Sequence, residues 1–416
     1  MGYIQSIRSK SGIFLNFFNL GFIQISNIAV QLLLFPIILR IIGIESFGLV
    51  TVINAYSLLA GVFINYGTNQ SGIKDIAIVK DNNTHLSKLF FTIYQTRFLL
   101  FFVSALIILA LYLVDIPHMK YVIFALPIIL AETINPIFFF TGIEKLTLYN
   151  TANLLAKISS ALMIIFLFKP DEGAWWINFY LGIGNFLFYG IVFLYAINHY
   201  QLKWQRIAYI GVKNILKENT YLISNNITAH FQQSFFLFVL QGFSNPMVLG
   251  AYSIGDKVIS SVRMLIVAFT YAIYPNVAIQ FKADRTNWID YKKKMNKWLG
   301  LFFILFAVML FFGAEIIVQL LTGTQNLLSS TYIKTVSLVP LFMALNTLNI
   351  VEFLIKNQYK LLFYCSVGLL LISLLAGSLF IQYVQPTEFG FYALFIEISA
   401  FVIARFYIKK EIADII

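Results

Sequence analysis

Eight ionisable side chains stand inside stretches that otherwise read as lipid-facing: Arg97, Glu132, Lys157, Asp256, Lys257, Arg263, Glu352 and Glu397. A charge at mid-bilayer costs roughly 2.5–3.5 kcal/mol on insertion scales, so groups kept there pair inside a bundle or line a wet path. The clearest pattern is Ser253, Asp256, Ser260 and Arg263, which follow one another at helical spacing and share one stripe. Lys257 and Ser261 widen that stripe. Asn219, Asn226, His230 and Gln233 form a second stripe upstream, and Gln24, Asn27 and Gln31 a third near the start. Amides and hydroxyls so spaced either bind helices to one another or replace water around a polar solute such as a sugar. The residues alone leave both readings open.

These groups need elements to hold them, and composition says which. The chain has 416 residues, 60% hydrophobic and 11% charged, with a mean hydropathy of +0.82. Soluble domains carry about 25% charged residues, so too little polar material is present to coat a water-facing surface. A soluble enzyme is excluded, and so is disorder, which requires low hydrophobicity. Windows of about 19 residues place twelve spans near 12–40, 45–72, 87–113, 119–142, 147–168, 174–199, 213–242, 246–280, 298–321, 331–357, 360–383 and 388–408. The first apolar stretch is too long for a signal-peptide core and reads as a retained span. Glu132 falls between Pro127 and Pro136, in a span expected to kink.

The net charge of +11 is mostly a topological signal. Of the 29 lysines and arginines, 21 lie in one alternating set of connections and four in the other. The basic-loop rule then puts an even number of spans across the membrane with both termini cytoplasmic. The longest connections, near 199–213 and 281–297, belong to the basic set. The second mixes lysines with Trp288, Tyr291 and Trp298 and reads as an interfacial helix lying on anionic headgroups. Cys365 is alone, so no intramolecular disulfide or cysteine-based metal site forms. His85, His118, His199 and His230 show no metal-ligand spacing, and no nucleotide-binding glycine loop is present. No cofactor, no metal and no nucleic acid are expected.

The polar stripes occupy matching places in the two halves, as expected of a carrier built from repeats. Phe47-Gly48 after the first span and Leu249-Gly250 after the seventh lie about half the chain apart, in the same orientation. The halves are taken as lobes 1–205 and 206–416. The run from Phe35 and Pro36 through Arg40 and Gly43 to Phe47 and Gly48 resembles the first-hairpin signature of polysaccharide transporters in the multidrug/oligosaccharidyl-lipid/polysaccharide exporter superfamily. So do Asn65-Tyr66-Gly67 and the segment Ile73 to Ala77. The segment from Val248 to Lys257 looks like the corresponding second-half signature. The resemblance spans nearly the whole chain and is nearest to bacterial O-antigen flippases of the Wzx type.

That resemblance implies an all-α polytopic membrane protein of about twelve transmembrane helices, in two six-helix lobes forming a V-shaped cavity. It implies a flippase of the bacterial inner membrane, moving undecaprenyl-diphosphate-linked oligosaccharide (the O-antigen unit) from the cytoplasmic to the periplasmic leaflet. Other glycan-assembly membrane proteins are its expected partners besides the lipid-linked cargo. Arginine forks onto phosphate and lysine acts as a point charge. Arg263, Lys257, Lys157 and Arg97 are therefore candidates for the diphosphate, and Asn27, Gln31, Asn226, His230 and Gln233 for the sugars. Coupling to a proton or sodium gradient would fall to Asp256, Glu132, Glu352 or Glu397. Gly43 and Gly48 serve the turn after the first span, and Arg40 anchors that helix end. The alternatives are a drug/cation antiporter of the same fold, which would favour an acid-dominated cavity, and an integral-membrane glycan polymerase or acyltransferase. The latter class usually carries a large periplasmic loop, whereas the longest such connection here is about ten residues.

Overall fold

The computed structural model describes residues 2–204, 209–283, 285–356 and 358–413, with side chains described from residue 29 onward apart from 31–32, 359, several positions between 271 and 287, and those beyond 408. The described chain is helical throughout, with no strand among the described residues. In order the helices are α1 (Gly2–Asn65), α2 (Thr68–Val79), α3 (Asn83–Leu113), α4 (Met119–Phe124), α5 (Leu126–Ile134), α6 (Ile137–Gly142), α7 (Leu146–Leu167) and α8 (Trp175–His199). They continue as α9 (Tyr209–Glu218), α10 (Thr220–Phe243), α11 (Pro246–Ala283), α12 (Arg285–Thr322), α13 (Leu327–Val336), α14 (Val339–Ile355), α15 (Tyr359–Tyr383) and α16 (Gly390–Ala413).

Breaks in the helices have readable causes. At 64 residues α1 is too long for one crossing, and Gly43 divides it with φ 75° and ψ 170°, a conformation that only glycine adopts cheaply. The expected fourth span is three short helices, α4, α5 and α6. Its last break falls at Asn135-Pro136: proline lacks the N–H needed to continue, and Asn135 Oδ1 accepts from Ile137 N at 3.2 Å to start α6. The expected tenth span breaks in the same way into α13 and α14, with a proline in the first turn of α14.

Nine stretches among the described residues are long and apolar enough to cross a bilayer. One of them, Leu33–Val79, contains the Gly43 break, so the two limbs of α1 count separately. Helices α10 and α11, of 24 and 38 residues, are also long enough to cross. Adding them gives twelve crossings, the all-α polytopic membrane architecture.

Contacts divide the chain into two compact units: 1–30 with 50–227, and 31–49 with 228–416. The division differs from the halves 1–205 and 206–416 in two places. The stretch 31–49 of α1 packs with the second unit, and α9 with the start of α10 packs with the first. In the first unit α8 lies against α5 and α7. Its core is aromatic: Phe90 meets Tyr94 and Phe139 with ring centroids 4.8 and 5.0 Å apart, and Phe193 meets Tyr94 at 4.6 Å.

In the second unit, α11 packs on α13 and α14, and α14 on α12 and α16. The two glycine motifs meet here. A Cβ on Gly48 would stand 2.7 Å from Gly250 N, and one on Gly250 would stand 2.0 Å from the Ile44 carbonyl oxygen. The backbones touch because neither residue carries a side chain.

The segment 281–297, expected to lie on headgroups as an interfacial helix, is largely the first turns of α12, which continues unbroken into its span. Trp288 in those turns is only 2% exposed and packs with Val277, Leu348 and Val351. Packing across one face wins over the surface for a tryptophan that can bury its whole ring.

Candidate functional site

The stripe of α11 faces a cavity inside the second unit. Its walls come from α10 (Gln232, Gln233), α11 (Tyr252, Asp256, Ile259, Arg263), α13 (Tyr332), α14 (Val339) and α16 (Tyr392, Glu397). It encloses roughly 540 Å³ of empty space, its open mouth included. Asp256 and Arg263 lie seven residues apart, two helical turns, so both face this space from one side of α11. Arg263 Nη2 donates to Glu397 Oε1 at 2.8 Å, joining α11 to α16. Arg263 Nε, by contrast, is buried and has no acceptor.

Aromatic rings fix the walls. Phe236 stacks on Tyr392 at 4.1 Å, and Tyr252 meets Tyr332 edge-on at 5.7 Å. Tyr332 Oη donates to the Pro386 carbonyl and Tyr392 Oη to that of Ser373. With their hydroxyls engaged, the rings are held as walls. Tyr252, Tyr332, Tyr392 and Gln232 were not singled out by spacing. Tyr252 precedes Asp256 by one turn and Gln232 precedes Gln233, which is the only signal available for them.

Several expected site residues lie elsewhere. Arg97, expected to meet the cargo, is 0% exposed in the first unit. Its three nitrogens donate to Thr68 Oγ1 (2.9 Å), Asn69 Oδ1 (2.8 Å) and the Asn135 carbonyl (2.8 Å), with Phe138 stacked 4.7 Å from the guanidinium. The break at Asn135-Pro136 explains this placement. A helix end leaves carbonyls without intrahelical donors, and Arg97 serves Asn135 while Tyr94 Oη serves Ile134 at 3.2 Å. Arg97 therefore secures a broken helix rather than facing a cavity.

Glu132, in α5 of the first unit, accepts from Asn65 Nδ2 at 3.1 Å and from Asn135 Nδ2 at 3.5 Å. The Gly61 backbone leaves room for its side chain: a Cβ there would stand 2.8 Å from Glu132 Cγ. The charge of Glu132 acts on both Lys157 and Arg97. Lys157 is half-buried on α7. Glu352 is held by two cations, Lys292 of α12 at 2.7 Å and Lys356, the residue that caps α14, at 2.9 Å. This clamp separates it from the Asp256 cavity.

The stripe on α10 divides between the units. Asn226 belongs to the first, where its Nδ2 donates to Gln70 Oε1 at 3.4 Å, and Asn219 is buried there. His230 and Gln233 belong to the second; both are exposed, but only Gln233 lines the cavity. Lys257 is half-buried beside Asp256, and its carbonyl accepts from Ser260 and Ser261. The side chains of Gln24, Asn27 and Gln31 lie outside the described residues. Among the described residues no cluster of His, Cys, Asp and Glu has the makings of a metal site.

A polytopic helical protein that keeps an ion pair and an unpaired donor beside a cavity within one of its bundles has the make-up of a membrane carrier. Residues 13–281 match the polysaccharide biosynthesis protein family, and the chain belongs to it. A relative from Escherichia coli (strain K12), named "Putative O-antigen transporter", is 21% identical over 351 residues, covering 83% of this chain and 84% of the relative. The fold is that of multidrug carriers of the MATE type. A multidrug resistance MATE family transporter of the MOP superfamily, solved in an inward-facing conformation, superposes with a TM-score of 0.67 at 13% identity, covering 92% of this chain and 95% of that one. A mutant of the Vibrio cholerae MATE transporter VcmN gives 0.58 at 14% identity, with 96% and 97% covered.

Proposed function

We propose that this protein is a flippase that carries undecaprenyl-diphosphate-linked oligosaccharide units, of the kind used for O-antigen, from the cytoplasmic to the periplasmic leaflet. It acts by alternating access in the bacterial inner membrane with both termini cytoplasmic, draws on an ion gradient, and hands its cargo to other glycan-assembly membrane proteins. Membership in a polysaccharide family and the similarity to the named transporter support the cargo class. One observation carries the site: Arg263 spends one nitrogen on Glu397 and keeps a buried Nε without an acceptor beside the cavity. A buried donor left unpaired costs about 1–3 kcal/mol, and a phosphate oxygen would relieve it. Gln232, Gln233 and the tyrosine walls supply the amides and ring faces on which sugars are held. Asp256 and Glu397 are the acids placed to exchange a cation or proton as the cargo arrives.

The test is complementation of a strain lacking its own flippase. Arg263→Ala should abolish surface polysaccharide at normal protein level, and Arg263→Lys should restore part of it, since lysine keeps the charge but not the fork. Full production by the alanine variant would remove Arg263 from the site.

A further inference from the structure

Among the described residues, Glu352 is contacted by two cations. Lys292 Nζ lies 2.7 Å from one carboxylate oxygen and Lys356 Nζ 2.9 Å from the other, and the three side chains are only 16, 11 and 7% exposed for Lys292, Lys356 and Glu352. The charges of Lys356 and Arg405 both act on Lys292; Arg405 itself lies over the Phe401 ring at 5.7 Å. Among the described residues, two largely buried cations thus share one acid where α12, α14 and α16 come together, and Arg405 stands exposed nearby. Excess charge held mostly out of water is costly unless a counter-ion joins it.

A second observation points to an anion as that counter-ion. Trp288, one turn before Lys292 on the same face of α12, is buried with its Nε1 lacking any acceptor. Around the cluster the surface is of the membrane-interface kind. Lys293, Lys294, Lys297 and Lys360 are exposed, as are Ile289 and Trp298. Aromatic and basic residues mixed in this way sit at the level of lipid headgroups.

We propose that Lys292 and Lys356, with Glu352 as an internal counter-ion, form a diphosphate-binding site at the membrane surface where the lipid-borne cargo docks before it reaches Arg263. This rests on the flippase reading for the nature of the cargo. Glu352 holds the lysines in place while the site is empty, and the incoming diphosphate takes over part of their bonding.

Binding to the purified full-length protein in nanodiscs tests the proposal, with farnesyl diphosphate, inorganic diphosphate and phosphatidylglycerol as probes and the Arg263→Ala background isolating the outer site. Lys292→Gln and Lys356→Gln should each weaken farnesyl diphosphate by about tenfold, the scale of one charged hydrogen bond. Lys292→Arg should retain binding. Glu352→Gln should tighten it, because it removes a competing negative charge. A purely structural clamp would give no such opposition of sign: all the neutralising variants would lower thermal stability and leave affinity alone, and that result overturns the proposal. Inorganic diphosphate binding as tightly as the prenyl probe would reassign the site to free anions, and phosphatidylglycerol doing so would reassign it to bulk lipid; either overturns cargo docking. Failure of the prenyl probe to bind wild-type protein at all would count against the flippase reading itself. Binding that depends on Arg263 but is indifferent to both lysines would sink only the docking site.

Discussion

Two arginines are retained in spans at similar cost and serve opposite ends. Arg97 donates from each of its three nitrogens, every time to a neutral partner, and one of these is a carbonyl freed at the broken helix. Arg263 is held by one carboxylate and keeps a donor in reserve. The difference predicts different failures. Arg97→Met should lower the stability of the purified protein by roughly 1–3 kcal/mol through the acceptors it strands, seen as a reduced melting temperature in detergent. Activity per folded molecule should hold. Arg263→Ala should leave melting close to wild type while transport is lost. Spacing placed both arginines inside spans but could not separate them. What decides is whether a chain break lies across the bundle, and Asn135 is 38 residues from Arg97 in sequence.

At the scale of elements, the contact of the two signature motifs carries the sharpest expectation. Gly250→Ala would push a methyl to 2.0 Å from the Ile44 carbonyl, and Gly48→Ala would bring one to 2.7 Å from Gly250 N. Both should reduce folded protein and transport together, the first more severely because its backbone obstacle stands closer, at 2.0 against 2.7 Å. Gly368→Ala in α15 has nothing within 4 Å and should be neutral or stabilise by about 0.5–1 kcal/mol from helix propensity alone. Expression level and detergent melting curves read all three. The sequence already marked both glycines as repeats of one another, and period and hydropathy found the twelve crossings. The internal breaks were less legible. Pro127 and Pro136 announced a kink near Glu132, but not that Asn135 would start a new helix. The basic run before Trp298 looked like a surface segment because its inward face is made of single residues, Trp288 and Lys292, spaced among lysines that do face outward. Glu352 likewise looked like a free acid, since its partners Lys292 and Lys356 sit on stretches assigned to loops.

At the scale of the whole molecule, the proposed coupling requires that work be drawn from an ion gradient. In proteoliposomes carrying lipid-linked substrate, collapse of the proton gradient and of the sodium gradient, applied separately, should slow translocation in one case only. Undiminished directional transport with neither gradient present would refute the coupling. The helices that bear the site also shape how the protein must be made. Helices α10 and α11 both carry polar and ionisable residues along their length. A nascent chain meets the cost of those residues as each helix leaves the insertion machinery. Asp256, Lys257 and Arg263 would burden α11 with roughly 2.5–3.5 kcal/mol each if it entered lipid alone. Biogenesis therefore favours α10 and α11 leaving the insertion machinery as a joined hairpin, or waiting until α16 delivers Glu397 to Arg263. The ion pair of the mature carrier is then also an assembly checkpoint, formed only when the last helix is in place.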